Sequence, residues 1–196
     1  ALDGFQQGAL QAGETLLVHG AAGGVGLAAV DVGRLFGAKV IAAAGSEAKR
    51  VIVKSMGAQE VIDSHEPFAA EVLALTGDTG ADVIYDPVGG DVFDESMHCV
   101  APFGRILVVG FAGGRPALAK TNHLLVKDVS VIGFSLGGLA KHRAALAARN
   151  AETLLNWLAA GKIRPYVSHR VPLLETAEAL RLVQDRQVIG KVIVTI

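Results

Sequence analysis

The stretch VHGAAGGVGLAAV, Val18 to Val30, sets four glycines between two apolar runs. Backbone stripped of side chains at this density lets N–H groups close around an anion. Aligned on its last three glycines, the stretch reads Ala21-x-Gly23-Gly24-Val25-Gly26. It departs from G-x-G-x-x-G by an Ala in the first position and an extra Gly one residue early. Gly23 and Gly24 would admit a pyrophosphate against the backbone, and Gly26 would let the following helix pack tightly on the sheet. Leu27 and Ala28 stand where a mononucleotide P-loop needs Lys and Ser/Thr, so that alternative is excluded. A ligand-free turn between strand and helix remains the rival reading of the loop alone.

The next apolar run, KVIAAAGSEAKR, bears on that choice. Dinucleotide enzymes that take NAD place an acid about 20 residues beyond the loop, on the adenosine ribose. Here the position falls on Ala44 or Gly45. Ser46 offers a hydroxyl and Lys49 or Arg50 a cation, a set that suits the 2′-phosphate of NADPH. Tyr85 and Asp86, in VIYDP, end another strand. There Asp86 is either a ligand contact or a cap for the turn that follows.

Other constellations are weaker. Gly133 to Gly137 reads G-x-S-x-G after a β-rich run, which makes Ser135 a formal nucleophile with Glu152 and His169 as partners in a serine hydrolase. The six His residues show no H-x-x-x-H spacing, and the adjacent His98 and Cys99 diverge on a helix, so no metal site is expected. Cys99 is the only cysteine, which excludes an internal disulfide and suits a reducing cytoplasm.

These residues need a scaffold, and the pattern supplies one. Short β-rich runs at Thr15–His19, Lys39–Ala43, Glu60–Asp63, Asp82–Tyr85, Arg105–Val109 and Ser130–Phe134 alternate with helical stretches near Val25–Phe36, Glu47–Met56, Phe68–Thr76 and Val92–Val100. Runs apolar throughout, such as VIAAA and RILVV, fit strands buried on both faces of a parallel sheet. The fold class expected is α/β, a doubly wound Rossmann sheet of six parallel strands. Beyond it lie a helix over Asn150–Ala160, an extended KIRPYVSHRVPL, a helix over Leu174–Asp185 and the β-rich VIGKVIVTI. That last run would extend the sheet's edge or pair with a domain outside this chain.

Over its 196 residues the chain is 51% hydrophobic and 19% charged, with a net charge of -1, a core-forming composition. Scattered Lys and Arg give no footprint for nucleic acid, and no apolar run spans a bilayer. The chain shows no signal-peptide pattern. It opens without Met on ALDGFQQGALQAGE, which reads as the end of a helix already under way and so as a fragment or excised domain.

VHGAAGGVGLAAV, AGSEAK, DVIYDPVGG, FGRILVVGFAGG, VSVIGFSLGG and GKVIVTI, in that order, resemble the zinc-independent medium-chain dehydrogenase/reductases. Within these the resemblance is to the NADPH:quinone oxidoreductase, zeta-crystallin-like group. The resemblance implies hydride transfer from NADPH to a quinone or activated alkene, with no agreed acid or base in this domain. It implies that Ala22, Gly23, Gly24 and Val25 hold the pyrophosphate, and that Gly45, Ser46 and Lys49 take the 2′-phosphate. Ser64 would lie against the adenosine end, where the family often has an aromatic residue or His. Val88, Gly110, Phe111, Phe134, Ser135 and Leu136 would line the nicotinamide channel. It also implies a missing N-terminal GroES-like catalytic domain, leaving residues 1–166 as the cofactor domain and 167–196 as a segment completing the absent one. On that basis the chain alone binds cofactor but turns over poorly. A homodimer through Ser130 to Leu136 is implied as well, since an exposed apolar edge strand is otherwise a liability. A non-catalytic NADPH-binding module is the alternative with the same fold.

Overall fold

The computed structural model describes residues 1–196. A short helix α1 (Leu2–Gln7) leads into β1 (Thr15–Val18), the strand that ends at the glycine loop. The chain continues through α2 (Gly26–Leu35), β2 (Lys39–Ala44), α3 (Glu47–Ser55), β3 (Glu60–Asp63), α4 (Ala69–Leu75), β4 (Ala81–Asp86), α5 (Gly90–Cys99), β5 (Val100–Val108), α6 (Thr121–Lys127) and β6 (Ser130–Gly133). The sheet is six-stranded, ordered β3-β2-β1-β4-β5-β6, and every pairing is parallel. The order of strands reverses between β1 and β4, so the crevice beyond their carboxyl ends is the topological switch point.

Alternation within the strands explains their unbroken apolar character. Leu16, Val18, Val83 and Tyr85 face one core with Phe5 and Val30, while Leu17, Ile41, Ile84 and Ile106 face a second with Phe93 and Met97. Each strand is thus apolar on both faces, as helices on both sides require. The strand ends fall within a residue or two of the sequence expectation, except at β5, which begins at Val100 rather than Arg105.

The pairing of β5 with β4 is irregular there, passing from Ala81–Val100 to Val83–Arg105, and Phe103 lies inside the irregular stretch. It adopts φ +61° between Pro102 and Gly104 and is 72% exposed, so a bulky side chain occupies the left-handed region with little packing in return. Phe103→Gly is therefore expected to stabilise the fold by about 0.5–1 kcal/mol, the relief of strain exceeding the added freedom of the unfolded chain. A thermal melt checks this, and a lower melting temperature would refute it.

After β6 come α7 (Leu136–His142), α8 (Ala144–Ala159), β7 (Val167–Pro172), a 3-10 turn (Leu173–Glu175), α9 (Thr176–Gln184) and β8 (Lys191–Thr195). Helix α8 starts six residues before the expected Asn150. Asn is a favoured N-cap, but this one is buried mid-helix, where its amide donates to Asp3 and exchanges hydrogen bonds with Gln6 of α1. The closing run VIGKVIVTI does not extend the six-stranded sheet. β8 pairs in parallel with β7, with α9 as the crossover, and the two strands form a sheet of their own. No helix is long and apolar enough to cross a membrane.

Candidate functional site: the glycine loop and the strand ends around it

The backbone leaves the sheet in two steps. His19 N–H still donates to Tyr85 O of β4 and Ala21 N–H to Ala43 O of β2, then the chain turns free at Ala22. Gly20, at φ +55°, makes the turn. Gly23 N–H closes back on Gly20 O at 2.9 Å, whereas the N–H groups of Ala22, Gly24 and Val25 donate to no acceptor. Three unpaired donors at the entrance of the ten-residue helix α2 form a concave anion cradle reinforced by the helix dipole.

Each glycine is bare for a different reason. A Cβ on Gly26 would collide with Gly20 O and lie 2.7 Å from Ala21 Cα, so this residue lets α2 sit against the loop itself. A Cβ on Gly24 would lie 2.9 Å from Gly190 O and 2.6 Å from Lys191 Nζ, at the entry to β8. Gly23 is exposed, and its only near neighbour is Gly20 O at 3.3 Å, so its open side is the one left for a ligand.

At the end of β2, Ala44 is buried and Gly45 half-buried, with no carboxylate at either position. Ser46 caps α3 by accepting from Lys49 N–H at 3.3 Å. The two candidate cations separate here. Arg50 is tied to Asp63 at 2.7 Å and to Ala44 O, while Lys49 Nζ has no carboxylate partner and donates to Arg186 O at 2.7 Å. Ser64 is exposed, and the side chain packed over Gly45 is the next one, the His65 imidazole, turned there by an Asp63 carboxylate that accepts from His65 N–H. His65, two residues past the end of β3, was not among the residues singled out from the sequence.

Toward β4 and β5, Val88 lies across from Gly20, with Cγ2 3.5 Å from where a Gly20 Cβ would stand. The loop after β5 folds over it through Ala112 N–H to Pro87 O and Gly113 N–H to Val88 O, which brings Gly110 and Phe111 beside Gly89. Asp86 caps this turn: its Oδ1 accepts from Val88 N–H at 2.8 Å and Gly89 N–H at 2.9 Å. Its Oδ2 is buried without a partner, and burial raises its pKa despite those two N–H groups.

The β6 end contributes differently. Phe134 turns its ring onto Gly4 of α1 and toward Tyr85, 6.4 Å between ring centroids, so it offers the site backbone rather than a side chain. Leu136 is exposed, and Ser135 accepts from Gly138 N–H as the cap of α7. No hydrogen bond joins Ser135, Glu152 and His169; the His169 Nδ1 pairs instead with Ser168 at 2.8 Å. A hydrolase triad is thus not assembled. No group of three His, Cys, Asp or Glu side chains is placed to hold a metal ion, and burial pushes the Cys99 thiol up to about 12.

Residues 24–153 match the family described as zinc-binding dehydrogenase. A quinone oxidoreductase-like protein 2 homolog of Nematostella vectensis is 41% identical over 188 residues, which cover 94% of this chain and 51% of the relative. Mycobacterial Rv1454c, solved complexed with NADPH, superposes with a TM-score of 0.87 at 28% identity, covering 100% of this chain and 61% of that one. The CurK enoyl reductase gives 0.85 at 30% identity, covering 98% and 57%. The chain thus spans about half the length of the curated relatives it matches. Matched across most of its sheet and loop, the chain belongs to the zinc-binding dehydrogenase family, in its quinone oxidoreductase-like group.

Proposed function

We propose that this chain is the NADPH-binding part of an oxidoreductase that passes hydride from NADPH to a quinone or another activated alkene, such as an enone or enoyl thioester. The observation that carries the reading is the pairing of two features. Unpaired Ala22, Gly24 and Val25 N–H groups stand at the switch point, and the end of β2 lacks a carboxylate but has Lys49 beside it. The first set receives a pyrophosphate. The second tolerates a 2′-phosphate that an acid there would repel.

When bound, the dinucleotide supplies the transferable hydride, and the chain's own part is positioning. The cradle fixes the phosphates, His65 and Gly45 bound the adenosine end, and Val88, Gly110 and Phe111 wall the route toward the reacting ring. Backbone at Phe134, Ser135 and Leu136 closes that route on the β6 side. The family's name carries a zinc ion that this chain's residues do not fit, because its one cysteine is buried and no ligand triad exists.

Residues 167–196 form a two-stranded parallel sheet, smaller than an independently stable one, with Leu174, Leu180 and Val183 exposed beside it. We assign this segment to an N-terminal catalytic domain that supplies the other half of the substrate cleft. β6 is an open sheet edge flanked by exposed Leu125 and Val126, which supports a homodimer through that strand. A monomer in sedimentation at micromolar concentration would contradict it. The single buried cysteine supports a cytoplasmic setting.

Cofactor titration tests the central reading. The chain should bind NADPH more tightly than NADH, and Lys49→Ala should weaken NADPH about tenfold while leaving NADH unchanged. Equal affinities in the unsubstituted chain would overturn the assignment. Assays of the full-length protein across quinone, enone and enoyl thioester then identify the acceptor.

A further inference from the structure

Beside the proposed hydride route, on its β6 side, lies a cleft of about 550 Å³. Phe134 and Ser135 line both. The cleft's charged lining consists of Asp3 of α1, His142 of α7 and Arg143 at the junction of α7 with α8. Asp3 is buried and already accepts a hydrogen bond from the Asn150 amide, so its charge is answered from within the fold. His142 and Arg143 are exposed and have no such partner.

Positive charge gathers on this side of the molecule. Val129 to Ala151 contains Lys141, Arg143 and Arg149 but neither Asp nor Glu, in a chain whose net charge is -1. None of the three forms an ion pair or a side-chain hydrogen bond, whereas Arg34, Arg50, Arg105 and Arg115 are each held by a carboxylate. Arg143 stands against its local electrostatics. It is the N-cap of the sixteen-residue helix α8, whose positive end disfavours a cation, and no acid in the first turn offsets it. Its backbone is fixed on both sides. The Arg143 N–H donates to Leu139 O at 2.8 Å, and its carbonyl accepts from Leu146 and Ala147 N–H at 3.0 Å each. An unpaired cation on rigid backbone at the edge of a cleft is electrostatically incomplete until an anion arrives.

We propose that this cleft seats the tail of the acceptor, and that Arg143, with His142 beside it, binds an anionic group there. The inference rests on reading the neighbouring strand ends as the hydride route. Lys141 and Arg149 lie outside the lining and add to the field that draws a charged acceptor in. The preferred acceptor is thus an activated alkene with an anionic tail, whether a thioester bearing phosphate or a quinone bearing a carboxylate or sulfonate.

Steady-state NADPH oxidation by the full-length protein tests this with two matched pairs of acceptors at saturating NADPH. Crotonyl-CoA is set against the uncharged crotonyl N-acetylcysteamine thioester, and 1,4-naphthoquinone-2-sulfonate against 1,4-naphthoquinone. The readout is the ratio of kcat/KM for the charged acceptor to that for its neutral partner, which cancels any general loss of active protein. Arg143→Gln should lower the ratio about tenfold, and Arg143→Lys should keep it within about threefold of the unsubstituted protein. A fall in the thioester pair alone assigns the anion to a phosphate-bearing tail, and a fall in the quinone pair alone to a charged quinone. Added salt should lower the ratio in the unsubstituted protein, a measurement that needs no folded variant. A ratio that Arg143→Gln leaves unchanged in both pairs, or that salt does not move, would overturn the proposal. Absence of NADPH oxidation with all four acceptors would instead overturn the hydride-transfer reading, and the proposal with it.

Discussion

Acidification to pH 4 is expected to remove about 3 kcal/mol of folding stability through one residue, His19, rising to about 5 kcal/mol below pH 3. His19 follows β1 at the base of the glycine loop and is 2% exposed. Its ring packs on Phe68, centroids 4.8 Å apart, and its Nε2 meets Ser96 Oγ at 2.8 Å. Ser96 donates its own proton to Val92 O at 2.7 Å, so the His19 nitrogen is the donor in that pair. Burial holds its pKa down to about 3 from an ordinary 6.5.

The unfolded chain takes up the proton below pH 6.5 and the folded one does not until about pH 3, so stability is full above pH 6.5 and falls throughout that window. Asp86 works in the opposite sense. Its raised pKa lets the folded state bind a proton first, so acidification through that range returns some stability. Typical domains have only about 5–15 kcal/mol in total, so the His19 loss is a substantial share of it. His19→Gln keeps an amide N–H for Ser96 but loses the ring contact with Phe68. It should be less stable at pH 7.5 by about 1–2 kcal/mol and nearly flat down to pH 4.5, so its curve crosses that of the unsubstituted chain. Parallel curves in denaturant titrations at several pH values would remove His19 as the cause.

What could be read in advance divides along a physical line. Apolar runs and punctuating glycines placed all six sheet strands, because both faces of a parallel strand must be buried and that demand is local. The missing acid at Ala44 and Gly45 was equally legible, since it is a question of residue type at one position. Features that depend on approach between distant segments were not. Asn150 carries the signal of a helix start, yet Asp3 and Gln6, far away in sequence, bury it in mid-helix. Ser64 holds the expected position after β3, but the turn set by Asp63 swings His65 onto Gly45. Nothing in the spacing of GKVIVTI indicates that β8 pairs with β7, or that its first residue reaches Gly24. Gly24 itself was assigned to the ligand alone, whereas the C-terminal segment also excludes a Cβ there.

Gly26→Ala is expected to damage both fold and binding, and its contrast with Gly23→Ala separates two uses of glycine in one loop. At Gly26 the added methyl meets Gly20 O, with Gly20 C and Ala21 Cα at 2.7 Å, all backbone atoms that cannot rotate away. The first turn of α2 must retreat from the loop, at a cost of about 2–3 kcal/mol. That retreat also pulls the Gly24 and Val25 N–H groups off their common focus. Two charge-assisted hydrogen bonds lost or misdirected, at about 1.5–3 kcal/mol each, predict a fall in NADPH affinity of at least about a hundredfold. At Gly23 the nearest atom is Gly20 O at 3.3 Å and the residue is exposed, so an Ala costs the fold less than about 1 kcal/mol. Its methyl instead projects to the side left open for the anion, and binding falls without a matching fall in stability. Melting with and without NADPH measures both at once. Gly26→Ala should melt lower and lose most of its ligand shift, while Gly23→Ala should melt almost normally and still lose that shift. A Gly26→Ala chain that keeps both would mean that α2 does not hold the loop, and that the three unpaired N–H groups are not aimed by it.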